Sequence, residues 1–449
     1  MKSAPTTANA GARRAHWEAP VSTRSSRRWP RLRGRGLALL WALAGVILWA
    51  GAATAQTKRM MPLAVWPHDK VLSLAPLLRS ADAAVIESKP DGHLRQLSLF
   101  TFIAAAPSTV REVLWRADLY RDYVQNFKKS VVTNNPDGNF DYSYQLSFGL
   151  FTIEGTNRYM QLPADPHMAV PPVEIRDLDP NFDYSVRRFR FEFYSVYGGT
   201  LMVMYGFTEV TKSGGVIAKV LDKVPTLEQG MALVAQSTLM LQVKRRAEQI
   251  APITPQPPPH QSASVDFLID RGTVVLLRSQ SGRLSEVSLI DRTPAPPQQI
   301  AALVQQTSDW KDYIPSITQS VGTGAQDTTS MVDIEQSLPL LSFRTTYGAR
   351  VQGRTVDMMG LSGDLKGARM RWDLVPTSAG GTQIVLRSSL QYDRASLIMR
   401  QLYKLEPLME YGVNVGMQLV ILEAIRTRAE RTSGRLRPLV AFGPETKVY

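Results

Sequence analysis

The chain contains no cysteine, which excludes disulfides, thiolate catalysis and Cys-ligated metals. Histidine is scarce: His16, His68, His93, His167 and His260 are all there is, with none beyond residue 260. No two have metal-ligand spacing, and none stands beside a serine nucleophile and its acid, so each reads as a surface or turn histidine. A Gly-rich phosphate loop is also missing, since Gly198-Gly199-Thr200 and Gly380-Gly381-Thr382 read as hairpin turns between strands. Charge is modest, at 20% of residues against 44% apolar, a composition that folds.

The net charge of +13 is concentrated at the start. Lys2, Arg13, Arg14, Arg24, Arg27, Arg28, Arg31, Arg33 and Arg35 face only Glu18 within residues 1–36, and the remaining chain is mildly basic, so nucleic acid is not an expected partner. The uncharged run Leu37 to Ala50 comes next, then Ala53-Thr54-Ala55. A basic region, a short apolar core and an A-x-A site are the parts of a secretory signal, with cleavage after Ala55; an uncleaved anchor is the alternative. Export, to the periplasm, is the expected location. Without a disulfide, the exported chain depends on a true hydrophobic core, which two domains of about 160 residues provide.

The 47-residue stretch Val85 to Val131 recurs without a gap as Val275 to Val321, with 11 identities that include Ala105/Ala295, Asp122/Asp312, Tyr123/Tyr313 and Ser130/Ser320. From Gly198 onward the match resumes against Gly380 and runs to Gln249/Arg431, again with 11 identities, over 52 positions. A gapless match with apolar type kept in phase indicates a duplicated fold. The expected division is 1–55 signal, 56–83 lead-in, 84–250 first domain, 251–264 Pro-rich linker, 265–432 second domain and 433–449 tail.

Within the first repeat, Pro90-Asp91-Gly92 marks a hairpin turn, Ser108 is the expected N-cap of a helix, and strands are expected at Phe140–Phe148, 155–161, 173–177, 186–194 and 200–209. Phe189, Phe191 and Phe193 take one face of the fourth strand and Arg188, Arg190 and Glu192 the other, which predicts a solvated outer face. A long helix over 226–250 closes the unit, with Leu227, Met231, Val234, Thr238 and Leu241 along one side. Glu228 at its start suits the helix dipole, and Asp122 and Asp312 read as residues that fix a cap or turn.

This order of elements makes each unit α+β. Together with Ala105-Ala106-Pro107/Ala295-Pro296-Pro297, Tyr120-Arg121-Asp122-Tyr123/Trp310-Lys311-Asp312-Tyr313, Trp372-Asp373-Leu374-Val375-Pro376 and the closing helix, it resembles the START-like (helix-grip, SRPBCC) superfamily of lipid-transfer domains, polyketide cyclases and coenzyme-Q-binding proteins. The resemblance implies two tandem helix-grip domains, each a curved antiparallel sheet wrapped on a long C-terminal helix, with an apolar cavity between them. Its lining would be Tyr142, Tyr144, Phe148, Phe191, Phe193, Met231 and Val234 in the first copy, and Met370, Trp372, Val413, Gly416, Met417 and Val420 in the second. Each of these types is equally at home in a solid core. Gly416 stands where the first copy has Val234, which gives either more room or a closer helix contact.

Three functions are compatible with this pattern: non-catalytic binding or transport of an apolar small molecule, with a membrane surface as a further partner; a cyclase/aromatase-like enzyme; and an interaction module with filled cores. No cofactor is implied. The leader reading predicts that the exported protein begins at Gln56 by intact mass; a membrane-bound chain that retains residues 1–55 would favour the anchor instead.

Overall fold

A computed structural model describes residues 63–124, 127–148, 151–178, 184–210, 225–257, 264–280, 283–326, 329–338, 341–405, 411–436 and 447–448. The leader and its cleavage point lie outside the described residues, and no described helix is long and apolar enough to cross a membrane. The described residues all fall within one compact unit.

The first repeat is preceded by a lead-in of β1 (Ala64–Val65), α1 (His68–Ser73) and α2 (Ala75–Leu78). It comprises β2 (Asp82–Ser88), β3 (Leu94–Ile103), α3 (Pro107–Trp115), a 3-10 turn, α4 (Tyr120–Tyr123), β4 (Phe127–Asn134), β5 (Phe140–Phe148), β6 (Phe151–Gln161), β7 (Val173–Asp177), β8 (Tyr184–Val196), β9 (Gly199–Val210) and α5 (Pro225–Ile250). The second repeat has α6 (Asp266–Ile269), β10 (Thr273–Gln280), β11 (Arg283–Thr293), α7 (Pro297–Gln305), a 3-10 turn (Thr307–Asp312), β12 (Ile317–Gln326), β13 (Thr329–Leu338), β14 (Leu341–Gln352), β15 (Thr355–Gly363), β16 (Arg369–Pro376), β17 (Thr382–Ser389), α8 (Leu397–Leu405), a π-helical turn (Gly412–Gly416) and α9 (Met417–Ser433). A last strand, β18 (Lys447–Val448), returns from the tail to pair with β1.

The five strands expected after α4 are present, two of them at the expected bounds, and the fold is α+β with a large antiparallel sheet. Ser108 does not cap α3. Pro107 takes the first helical turn after an extended Ala106, because a missing N–H costs nothing there.

The duplication survives in the side-chain bonds. Tyr123 donates to the Val113 carbonyl at 3.0 Å, and Tyr313 to that of Leu303 at 3.1 Å. Thr200 donates to Ala105 O, and Thr382 to Ala295 O, both at 2.7 Å. Ser130 and Ser320 both tie their strand back to the preceding 3-10 turn, through Ala117 O and Thr307 O. Arg246 lies over the ring of Tyr123, and Arg428 over that of Tyr313. The repeated Tyr and Ser therefore pin the short helices to the sheet, whereas Asp122 is exposed and caps nothing.

The two repeats share one 16-stranded sheet in the order β12-β13-β14-β15-β16-β17-β11-β10-β2-β3-β9-β8-β7-β6-β5-β4. At its middle β2 and β10 pair antiparallel, with Ala84 opposite Val275 and Val85 opposite Val274. Val275 is the counterpart of Val85 and Val274 that of Ala84, so the seam is self-complementary, as in a two-fold dimer. The apolar core runs through both repeats without a break. The linker is pinned as well, since Ile253 N–H donates to Ala104 O and Gln256 N–H to Tyr197 O.

The long helices also meet across the seam. A Cβ on Gly230 would lie 3.0 Å from the Gly416 Cα, whereas one on Gly416 would meet nothing within 4 Å. Gly230→Ala is expected to cost about 1–3 kcal/mol, because it must push two backbones apart. Gly416→Ala, at helical φ/ψ, is expected to raise stability by up to about 1 kcal/mol. Chemical denaturation reads both, and equal effects would contradict the crossing.

Candidate functional site

The residues expected to line a cavity divide into three groups. Tyr142, Phe191, Phe193, Met370, Trp372, Gly416, Met417 and Val420 are buried on the inner side, and Tyr144 and Val234 are partly buried against the same core. Met231 is 37% exposed and lines nothing. The side chains of Phe148 and Val413 lie outside the described residues. Met231 departs because α5 is covered on two sides, by β3, β9 and α3 and by the second long helix. Its buried residues include Leu227, Ala232, Leu233, Met240, Val243 and Ala247 together with Glu228, Gln229, Gln236 and Ser237, so the apolar stripe marks only one edge of the covered surface.

The first repeat is filled with aromatic rings. Phe140 stacks on Tyr159 at 4.7 Å, Trp115 meets Phe140 edge-on at 4.9 Å, and Tyr120, Phe127, Tyr142 and Tyr144 continue the cluster at centroid separations of 5.6–6.3 Å. Burial pushes the hydroxyls of Tyr120, Tyr142 and Tyr159 above the usual tyrosine range, and burial aided by Asp177 pushes Tyr144 up to about 12. Burial therefore favours their neutral form. Deeper in, the Gln236 side chain occupies the space that a Cβ on Gly206 would fill.

The second repeat differs. Between β16, β17 and the start of α9 is a cavity of about 10 Å³, lined by Gln336, Tyr347, Leu365, Ala368, Met370, Ser388, Leu390, Asn414, Met417 and Gln418 among others. Ser388 Oγ donates to Asn414 Oδ1 at 2.9 Å, but Asn414 Nδ2 and Gln418 Oε1 are buried without a protein partner. Asn414 lies in the π-helical turn, a local widening frequent at functional sites.

Helix α8 lies over this region. Ala395, Met399 and Tyr403 pack on Phe343, Leu365, Ala368 and Met417 in a cluster separate from the shared core. Outside, Leu397 is 64% exposed and Ile398 75%, with Arg400 and Lys404 exposed on the same helix and Arg394 just ahead of it. The stretch of the first repeat that corresponds to α8 lies outside the described residues. A larger hollow of about 650 Å³ opens on the solvent side of β14–β17 among Arg350, Asp357, Met359, Arg369, Arg371 and Arg387. Two of its arginines, Arg371 and Arg387, already bind Asp373.

Arg188, Arg190 and Glu192 do not form a solvated face. All three are buried, with Arg188 bidentate to Glu174 and Arg190 bound to Glu192 at 2.8 Å. The reason is the lead-in, which covers the outer face of the first-repeat strands with Leu63, Trp66, Val71, Leu74 and Leu78. Ala64 and Gln96 exchange bonds at 2.8 and 2.6 Å, Trp66 N–H donates to Tyr205 Oη at 3.3 Å, and the Arg271 guanidinium lies 3.8 Å from the Trp66 ring centroid. Two histidines join this framework. His68 Nδ1 is 2.8 Å from Tyr194 Oη, which donates to Glu192, while His93 Nδ1 is 2.7 Å from Glu228 and holds the β2–β3 hairpin on α5. Glu228 is thus a buried tether as well as a dipole partner.

No family model and no curated protein matches this chain. Among solved structures it is similar to a STAR-related lipid transfer protein fragment from Xanthomonas axonopodis (16% identity, 35% of this chain and 93% of that one, TM-score 0.27). It is also similar to a START superfamily protein from Mycobacterium smegmatis (16%, 33% and 99%, 0.28). A third similar structure is the di-domain ARO/CYC StfQ of the steffimycin biosynthetic pathway (11%, 75% and 99%, 0.25).

Glu192→Ala is expected to cost about 3–5 kcal/mol, since it removes the buried carboxylate that Arg190 and Tyr194 both bind. The double change Arg190→Met/Glu192→Leu should restore most of that. A single-mutant loss below about 1 kcal/mol in urea melts would show that the network fixes little of the frame.

Proposed function

We propose that the protein is an exported, non-catalytic carrier that binds an apolar small molecule between the sheet and the long helix of two helix-grip halves and exchanges it at a membrane surface. The leader pattern supports a periplasmic location. One observation carries the reading: α8 closes the second-repeat interior with its own small cluster, apart from the core that both repeats share. Lifting that helix exposes Met370, Met417 and their neighbours while the frame stays packed. Met is suited to ligands of irregular shape, and pockets for such ligands are mostly apolar.

The outer side of α8 supports membrane contact. Leu397 and Ile398 each gain about 1.5–3 kcal/mol when fully buried in an apolar phase. Arg394, Arg400 and Lys404 add about 1 kcal/mol apiece near an anionic surface.

Organic extraction of purified protein followed by mass spectrometry is expected to recover a lipid, sterol, quinone or similar molecule. Protein that extracts empty and takes up no such probe would contradict the reading. Leu397→Asp/Ile398→Asp is expected to reduce co-sedimentation with anionic vesicles more than tenfold at unchanged melting temperature; unchanged co-sedimentation would remove the membrane from the proposal.

A further inference from the structure

Two of the three polar groups inside the second repeat have no equivalent in the first. Aligned through the repeat, Asn414 replaces Ala232 and Ser388 replaces Gly206, while Gln418 and Gln236 are the same residue. In the first repeat the glutamine side chain packs into the space beside Gly206. In the second, Ser388 occupies that position and bonds to Asn414, and Gln418 lines the cavity. The result is a pair of amides one helical turn apart, both more than nine-tenths buried, with Asn414 Nδ2 and Gln418 Oε1 unpaired. Whichever way the Asn414 amide is turned, one end meets Ser388 and the other is left over.

A buried amide group without a partner is costly, so retaining two unpaired amide atoms in one pocket makes sense when a ligand satisfies them. Nδ2–H requires an acceptor and Oε1 requires a donor. A single hydroxyl oxygen meets both demands, whereas a ketone, quinone or ether oxygen meets only the first. The apolar part of the lining comes from Leu365, Ala368, Met370, Leu390 and Met417, and Gln336, Tyr347 and Ser389 complete it beside Ser388. Among the described residues the only charged one there, Arg369, is exposed at the rim and suits no buried anion.

Resting on the carrier reading above, we infer that the second repeat is selective for a neutral apolar alcohol, its hydroxyl accepting from Asn414 Nδ2 and donating to Gln418 Oε1. The pair is a specificity device of one half. It predicts that the two repeats differ in what they hold.

The test uses the full chain and three pyrene probes: 12-pyrenyldodecanol, its methyl ether and dodecylpyrene. The alcohol is expected to bind at least about tenfold tighter than the hydrocarbon, with the ether between them. Asn414→Leu should weaken alcohol binding about tenfold, leave hydrocarbon binding unchanged and not lower the melting temperature of the probe-free protein. Should that variant fail to fold, Gln418→Met provides the same comparison. Equal binding of alcohol and hydrocarbon by both proteins would overturn the hydroxyl anchor and leave the amides to an internal water, with the carrier reading intact. Failure of every probe to bind would overturn both.

Discussion

The pairing of β2 with β10 is the constraint on which the rest of this structure depends. It turns two eight-stranded sheets into one, satisfies main-chain groups that would otherwise form two open edges, and sets equivalent positions of the two repeats opposite each other. Across the seam Gly230 of one long helix lies against Gly416 of the other, and the absence of a side chain on Gly230 lets the backbones approach. The two cores then merge. Neither repeat can widen toward the seam without disturbing its partner, so the ligand we propose would enter from the other side, where α8 lies.

The repeats have diverged around this frame. The first is buried on both faces of its central strands: aromatic rings fill the inside, and the lead-in covers the outside over a network of paired charges. Such pairs are expensive to bury and more expensive to break, which suits them to fixing position more than to adding stability. The second repeat keeps a small polar-edged cavity under a helix that has its own cluster. In the proposed carrier, the first half would be the scaffold and the second the binder.

Much of the frame is legible in the sequence because its signals are local or repeated. The alternation Phe140 to Phe148 predicts a strand at those bounds, and the matched Tyr123/Tyr313 and Ser130/Ser320 correspond to duplicated hydrogen bonds. Where sequence and structure part, tertiary cover is the cause. Arg188 and Arg190 alternate with phenylalanines as a solvated face would, but the lead-in covers Tyr194 and Tyr205 on the same outer face, and Glu174, from the neighbouring strand, binds Arg188. Met231 sits on the apolar stripe of α5, yet the second helix contact shifts the covered surface past it. The amides of Asn414 and Gln418 carry no sequence signal of their own, since polar residues in a long helix normally face water. The exchange of Ala232 for Asn414 across the repeat is the available clue.

A rigid shared frame with one independently opening element is tested most directly by native-state hydrogen exchange. Slow, globally limited exchange is expected for Ala83–Ile86 and Val274–Leu277, much faster exchange for Leu397–Leu405, and a slowing of the latter when an apolar ligand is added. If the amides of α8 exchange as slowly as those of the seam, with or without ligand, the helix does not open on its own and the carrier mechanism is contradicted.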